Sequence, residues 1–155
     1  MRRSVLAIRR SKSMVIDVSD PNHRSAGSFF VNPVVTPERA DEIEQASRRP
    51  GESMPRFPAG DRVKLSAAWL IEHAGWHKGT SDGPVGLSTR HALAVVNRGG
   101  ATAAQIVDFA ARVRDAVMGQ FGVALAVEPV LLGFTKGEAA GLTADVDAPP
   151  GSVLE

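Results

Sequence analysis

The segment from Thr102 to Phe121 restricts the possible fold more than any other part of the sequence. Apolar side chains recur there every three or four residues, which is the spacing of one face of an α-helix, and charged side chains occupy the positions between them. The predicted inner face comprises Ala103, Ile106, Val107, Ala110, Val113, Val117 and Phe121, and the predicted outer face comprises Asp108, Arg112, Arg114 and Asp115. A helix with so continuous an apolar face must pack against another layer, so we expect it to be the main core helix.

Three other segments carry helix signals. Residues 2–10 combine flanking arginines with apolar side chains on one side. Thr36 followed by Pro37 is typical of an N-cap and the first helical residue, and Ser66 is a second N-cap whose helix Gly75 should end. These signals predict helices over residues 2–10, 37–47 and 67–74.

The remaining apolar runs are short, as in strands. They lie at residues 28–32, 93–96, 123–127 and 130–132. With the helices they predict an α+β fold, in which three to four helices pack on a small mixed or antiparallel sheet. Residues 48–61, rich in Pro and Gly, are expected to form a loop. We place the domain at residues 1–133 and expect a flexible, disordered tail at 134–155, where Gly, Ala, Pro and Asp dominate.

Composition limits the classes of function. A chain of 155 residues with 43% hydrophobic residues suits one globular domain. Its net charge of +1 gives no general argument for nucleic acid or an anionic membrane surface as a partner, and we expect neither. The sequence has no Cys, and no apolar run approaches the roughly 20 residues of a membrane span. His73 and His77 have helical spacing, but Gly75 interrupts them, so we expect no metal site. A cytoplasmic protein is the expectation.

The stretch SAGSFFVNP, residues 25–33, combines conformational constraints with polar groups. Gly27 permits backbone angles that a Cβ forbids, and Pro33 keeps the preceding residue extended. In an extended chain Ser28 and Asn32 share a face, and at least one of Phe29 and Phe30 anchors the segment in the core. Two interpretations remain open from these residues: a strand-turn with a buried aromatic pair, or a rigid strand that presents a hydroxyl and an amide to a ligand.

Other polar residues are candidates for chemistry. Arg9 and Lys12 belong to a basic N-terminal segment that is either a solvated face or a phosphate clamp. Glu128 follows an apolar run and lies either at a rim or partly buried, where its pKa would rise. His91 has no second histidine at a metal-ligand spacing.

Several motifs together resemble one enzyme family. The sequence is similar to the C-terminal, substrate-binding domain of UDP-N-acetylenolpyruvoylglucosamine reductase, also called MurB or UDP-N-acetylmuramate dehydrogenase. The resemblance runs from the first residues to Gly133. The matching segments, in register, are RRSK (9–12), SAGSFFVNPVV (25–35), VKLSAAWLIE (63–72), LSTRHAL (87–93), VNRGGAT (96–102) and LAVEP (125–129).

The resemblance implies an oxidoreductase of peptidoglycan synthesis. In this family NADPH reduces bound FAD, and the flavin passes hydride to the enolpyruvyl double bond of a UDP-sugar. Ser28 matches the proposed proton donor, and Glu128 matches the glutamate that stabilises the developing charge. Lys12 matches a lysine that contacts the diphosphate. Arg9, Asn32 and His91 match other substrate-binding positions.

The chain also departs from the family pattern. Val31 stands where many members have Lys, His91 where many have Gln, and Val127 where Pro is common. The family's flavin-binding domains have no counterpart in these residues. We therefore expect FAD and NADPH to be cofactors of the full-length family, and this chain alone to bind neither and to be inactive. The alternative is a non-catalytic nucleotide-sugar binding module, or a remnant that complements a separate flavin domain.

Overall fold

The structure, a computed structural model, describes residues 2–47, 52–135 and 137–143. Within these ranges, helices and strands alternate in an α+β arrangement, which confirms the predicted fold class. The helices are α1 (Arg2–Ser11), α2 (Pro37–Ala46), α3 (Ala67–His73), α4 (Ala103–Phe121) and α5 (Ala140–Thr143). The strands are β1 (Val34–Val35), β2 (Arg56–Ala59), β3 (Arg62–Leu65), β4 (Ser81–Asp82), β5 (Val85–Leu87) and β6 (Val95–Asn97).

The strands form two small antiparallel sheets rather than one. One sheet has the order β1-β3-β2, and its register places Lys64 opposite both Val34 and Phe57. The other has the order β4-β5-β6, in which Gly86 lies opposite Ser81 and Val96. The β4-β5-β6 sheet is a meander of sequential hairpins, whereas β1 pairs with β3 across β2 in sequence, and every pairing in both sheets is antiparallel.

The helix caps follow the sequence signals. Thr36 and Ser66 accept hydrogen bonds from the backbone amides three residues later, and Pro37 is the first residue of α2. Thr102 forms a capping box with Gln105, and Gly122 ends α4 in the left-handed conformation. These contacts satisfy amide and carbonyl groups that helix ends leave without intrahelical partners, which explains why the helix bounds were predictable.

Helix α4 is the centre of the core, as predicted. Val113 and Val117 are fully buried, and α4 packs against α3 and the β5–β6 hairpin. Phe109 is fully buried as well, and its ring meets Trp76 edge-on with centroids 5.1 Å apart. Ala103, in contrast, is exposed. It is the first residue of α4, where the other elements do not cover the helix.

Arg114 corrects the predicted outer face of α4. It is only 5% exposed, and its Nη1 donates to the carbonyl of Gly141 at 2.6 Å. The short helix α5 covers this side of α4 and buries Leu142 completely. The packed part of the chain thus extends past the predicted boundary at residue 133, while residues 144–155 of the predicted tail lie outside the described residues.

Four strand and loop predictions were wrong or incomplete. Residues 123–127 do not form a strand: Val123 and Leu125 are buried, but only Val127 makes an isolated bridge, to Phe30. Residues 130–132 form no strand either, and residues 28–32 are extended without belonging to either sheet. In the predicted loop 48–61, residues 48–51 lie outside the described residues, and residues 56–59 form β2. Within the ranges described, no helix is both long and apolar enough to cross a bilayer.

Candidate functional site

The extended stretch around Ser28 is threaded between two other segments. On one side the Phe29 amide donates to the carbonyl of Leu93 at 2.7 Å. On the other, the Val31 amide donates to Ala126 and the Glu128 amide donates to Phe29, both at 2.9 Å. These bonds bring Ser28 and Glu128 together, although 100 positions separate them in the sequence (128 − 28).

The two phenylalanines fix this stretch in the core. Phe29 is 5% exposed and Phe30 is 1% exposed, and their rings meet edge-on with centroids 5.3 Å apart. Burial of two aromatic side chains is worth several kcal/mol, at about 1.5–3 kcal/mol each. The predicted aromatic anchor is therefore confirmed, and the backbone that carries Ser28 is held on both sides.

Two cavities meet at Ser28 and Glu128. The first, of about 370 Å³, is also lined by Arg9, Ser13, His23 and Gly27. The second, of about 350 Å³, is also lined by Asn32, Lys64 and Leu93. Ser28 and Glu128 line both cavities, so Ser28 and Asn32 share a surface, as the extended conformation predicted.

The side chains at this junction are available to a ligand. Within the described residues, neither the Ser28 hydroxyl nor the Glu128 carboxylate has a hydrogen-bond or ion-pair partner. Glu128 is exposed, which places it at a rim rather than in the interior. A hydroxyl group and a carboxyl group thus line the same open surface.

Asn32 has a structural contact as well as a place in the second cavity. Its Oδ1 accepts a hydrogen bond from the Ala67 amide at 2.9 Å, at the start of α3. That amide is one of the groups without an intrahelical partner, so Asn32 ties the SFFVN segment to a helix end. The Nδ2 group of Asn32 has no hydrogen-bond partner among the described residues and is available as a donor to a ligand.

Lys12 and His91 lie outside the lining of both cavities. His91 is half-buried, and its Nδ1 accepts a hydrogen bond from the Leu93 amide at 3.0 Å. Burial lowers the pKa of His91, and the positive charges of Lys12 and Lys78 lower it further. Lys12 is therefore near His91, but the structure does not bring this pair into contact with the cavities at Ser28.

Two residues of the site went unnoticed in the sequence. Lys64 lines the second cavity from the middle strand of its sheet and has no ion-pair partner among the described residues. His23 lines the first cavity, and its Nδ1 lies 2.6 Å from the carbonyl of Asp20. The sequence did offer a signal for Lys64, namely a lysine between two apolar residues, Val63 and Leu65. A histidine in a turn-rich segment carries no comparable signal.

Metal binding has no support in the part of the chain that the structure describes. No three His, Asp or Glu side chains there come close enough to hold an ion. His73 instead stacks on Trp69, with ring centroids 3.6 Å apart, and its Nε2 lies 2.9 Å from Glu52.

Comparison with known proteins identifies the family of the chain. Residues 20–132 match the family described as the C-terminal domain of UDP-N-acetylenolpyruvoylglucosamine reductase. Proteins of that name from Thermobifida fusca and Saccharopolyspora erythraea are 51% and 53% identical over 142 and 140 residues, which are 87% and 84% of this chain. One from Mycobacterium ulcerans is 50% identical over 136 residues, or 86% of this chain.

This chain spans 39%, 37% and 36% of those three relatives, respectively. The matched region includes Ser28 and Glu128, as well as every residue named above in the second cavity. The match over most of the chain shows that it belongs to the family of UDP-N-acetylenolpyruvoylglucosamine reductases, in the region of their C-terminal domain.

Proposed function

We propose that this chain is the substrate-binding domain of a cytoplasmic enzyme that reduces UDP-N-acetylglucosamine enolpyruvate to UDP-N-acetylmuramate in peptidoglycan synthesis. One observation carries the proposal. The Ser28 hydroxyl and the Glu128 carboxylate, neither with a partner among the described residues, lie together where two cavities meet. This is the arrangement that a proton donor and a charge-stabilising group need at one reacting carbon.

The charges around the pair suit a UDP-sugar. Such a substrate carries a diphosphate and a carboxylate, and both attract guanidinium and ammonium groups. Arg9 lines the cavity on one side of the Ser28–Glu128 pair, and Lys64 lines the cavity on the other. Cations on both sides allow an extended ligand with two anionic groups, a diphosphate and a carboxylate, to lie across the Ser28–Glu128 pair.

We assign FAD and NADPH to other domains of the full-length protein. The glycine-rich turn between β6 and α4 is the nearest approach to a phosphate-binding loop, but its amides are occupied. Those of Gly99 and Ala101 donate to Asn97 Oδ1 at 2.9 and 3.2 Å, and Thr102 caps the helix. These residues do not fit a dinucleotide pyrophosphate, which needs free amides at the helix start.

The part of this chain in the reaction is then proton delivery and charge stabilisation. After hydride reaches the alkene, the carbon next to the carboxylate carries negative charge and needs a proton. Ser28 Oγ–H supplies that proton in our proposal, and solvent restores it, since the surface is open. Glu128 acts as a protonated or hydrogen-bonding partner of the negative charge that develops on the substrate, and Asn32 and Lys64 hold the substrate in place.

A half-reaction experiment tests these roles. This chain is fused behind the flavin-binding part of the Thermobifida fusca relative, and Ser28→Ala and Glu128→Gln are compared with the parent. Reduction of the flavin by NADPH should be unchanged, while its oxidation by the enolpyruvyl substrate should slow by about 100- to 10,000-fold, the usual value of a positioned proton donor. Stopped-flow absorbance follows both steps.

The control is Ser53→Ala, which removes an exposed hydroxyl outside both cavities. Equal slowing of both half-reactions by Ser28→Ala would reveal a folding or docking defect and refute the assignment. Parental rates of both half-reactions in Ser28→Ala would refute the proton-donor role. A parent fusion that binds the UDP-sugar without reducing it would instead favour the non-catalytic binding module.

A further inference from the structure

Helix α1 has little apolar attachment to the rest of the protein. Val5 and Ile8, which should anchor an amphipathic helix, are 48% and 58% exposed. From Ser4 to Ser11 only Leu6 is half-buried, and every other residue is exposed. Yet this helix carries Arg9, which lines the first cavity beside Ser28. Something other than apolar packing must fix its position.

A buried polar cluster follows directly after α1. Ser13 is 6% exposed in the left-handed conformation, with φ of 56°, and Asn22 is 2% exposed. Asn22 Nδ2 donates to Asp20 Oδ1 at 3.0 Å and lies 3.5 Å from Ser13 Oγ. Hydrogen bonds from Ser13 and from the amide and side chain of Asn22 lower the pKa of Asp20, so its carboxylate remains a charged acceptor.

Asn22 also reaches across the fold. Its Oδ1 accepts from the Thr89 amide at 2.9 Å, and its Nδ2 donates to Thr89 Oγ1 at 3.0 Å. One carboxamide thus joins the turn after α1 to the loop that carries His91. Buried amides of this kind are costly to leave unpaired, which makes the connection specific.

Backbone hydrogen bonds of the turn at residues 12–14 link Ser13 to the end of α1. The amides of Lys12 and Met14 donate to the carbonyl of Arg9 at 3.2 and 2.8 Å, and the Ser13 amide donates to Arg10 at 3.0 Å. Because these bonds hold the last turn of α1 against Ser13, a fixed Ser13 fixes Arg9 as well.

We propose that Asn22 is a positioning residue, whose buried carboxamide holds α1 and Arg9 in place beside the cavity that contains Ser28 and Glu128. The part of this inference that concerns ligand binding rests on the proposed function. Asn22 does not contact the substrate, but it sets the affinity for the substrate's diphosphate by positioning Arg9. The position of α1 is a separate matter that can be measured without any ligand.

Spin-label distances test the position of α1. The chain has no Cys, so Ala7→Cys and Gln120→Cys, two exposed positions on α1 and α4, can be labelled cleanly. Pulsed electron paramagnetic resonance should give a narrow distance distribution in the parent and a broad one after Asn22→Ala. Asn97→Ala is the matched control, because it also removes a partly buried amide that bonds to backbone groups, but away from α1. It should leave the distribution narrow.

A narrow, unchanged distribution in Asn22→Ala would overturn the inference. If that variant does not fold, Thr89→Val decides instead, because it keeps the Asn22–Asp20 bond and removes only the hydroxyl partner. It should broaden the distribution partially, and an unchanged distribution would again contradict the proposal.

Titration with UDP tests the link to the ligand. Isothermal calorimetry should show affinity weakened about tenfold in Asn22→Ala, and a combined Asn22→Ala/Arg9→Ala variant no weaker than Arg9→Ala alone. Parental UDP affinity in Asn22→Ala with a broadened α1 would overturn the link. Absence of UDP binding in the parent would count against the proposed substrate class, while the distances would still decide the role of Asn22.

Discussion

At the scale of single residues, His91 has a structural contact that its expected role did not include. The resemblance implied a substrate contact, but the structure shows a half-buried imidazole whose Nδ1 accepts the Leu93 amide. The carbonyl of Leu93 in turn accepts the Phe29 amide beside Ser28. His91 thus supports the backbone of the candidate site from behind, and a direct substrate contact stays a prediction.

The lowered pKa of His91 predicts acid sensitivity. The unfolded chain takes up a proton at His91 near pH 6.5, whereas the folded chain does so only at lower pH. The unfolded state therefore binds more protons in this window, and the free energy of unfolding should fall as the pH drops below about 6.5. The loss should be complete below the folded pKa. Urea unfolding measured between about pH 7.5 and pH 5 checks this, because that range spans the pKa of an unperturbed histidine.

His91→Gln should remove this component of the pH dependence. The carboxylates of Asp17 and Asp20 also have lowered pKa values, through hydrogen bonds from Ser19 and Ser13 respectively. Their contribution is present above their unfolded value of 3.8 and is lost in more acid solution, so the two windows separate. The comparison is made above pH 5, about one unit above the range in which the carboxylates titrate. If the free energy of unfolding changed equally with pH in the parent and in His91→Gln over that range, the histidine assignment would be refuted.

At the scale of elements, the β4–β5–β6 sheet depends on one glycine. Gly86 is buried at the centre of β5, and a Cβ there would lie 2.8 Å from Arg98 Nε and 2.9 Å from the carbonyl of Thr80. Arg98 is not free to move, because its Nη2 donates to the carbonyl of Leu87 at 2.8 Å. Any side chain at residue 86 must displace backbone or this guanidinium.

Gly86→Ala should therefore lower the free energy of unfolding by about 1–3 kcal/mol, the usual cost of overpacking. The matched substitution Gly119→Ala lies on the exposed face of α4 with no atom near the new methyl group. It should raise stability by about 0.5–1 kcal/mol, because alanine loses less conformational freedom in a helix. Urea denaturation of both variants measures the difference, and equal effects of the two would contradict the packing argument.

At the scale of the whole molecule, exposed apolar side chains form a rim made of Ile16, Val130 and Leu132, which line the first cavity or follow Glu128 in the chain. Ile16, which lines the first cavity, is 90% exposed, and Val130 and Leu132, just beyond Glu128, are 80% and 81% exposed. The intervening Leu131 packs on the core, so this segment alternates between buried and exposed side chains. Such a rim is typical of a surface that another protein surface covers.

We expect the isolated chain to self-associate through this rim. The double substitution Val130→Ser/Leu132→Ser should shift sedimentation-velocity profiles toward the monomer, because it removes the two most accessible apolar groups after Glu128. Met118→Ser is the control, since Met118 is 46% exposed on α4. A parent that sediments as a monomer at high concentration would disprove self-association.

The sequence alone determined the features that depend on local bonding or on one helical period. Caps at Thr36, Ser66 and Thr102 specify helix starts through hydrogen bonds within three residues. The apolar period of α4 specified its buried face except for Phe109, Arg114 and Ala103. The neighbouring phenylalanines predicted an anchored segment in the same way. The family, too, was identifiable from motifs in register.

Tertiary structure decided what depends on distant partners. Arg114 is buried because α5 returns to cover it, and the segments at Ser28 and Leu125 are extended but lie outside both sheets because each pairs with loop backbone. The junction of Ser28, Glu128 and Lys64 requires contacts between segments far apart in the chain. The sequence pattern of a strand does not reveal which other strand it pairs with. The Asn22–Thr89 connection spans 67 residues, so no local pattern in the sequence indicated that a turn asparagine would hold α1 in place.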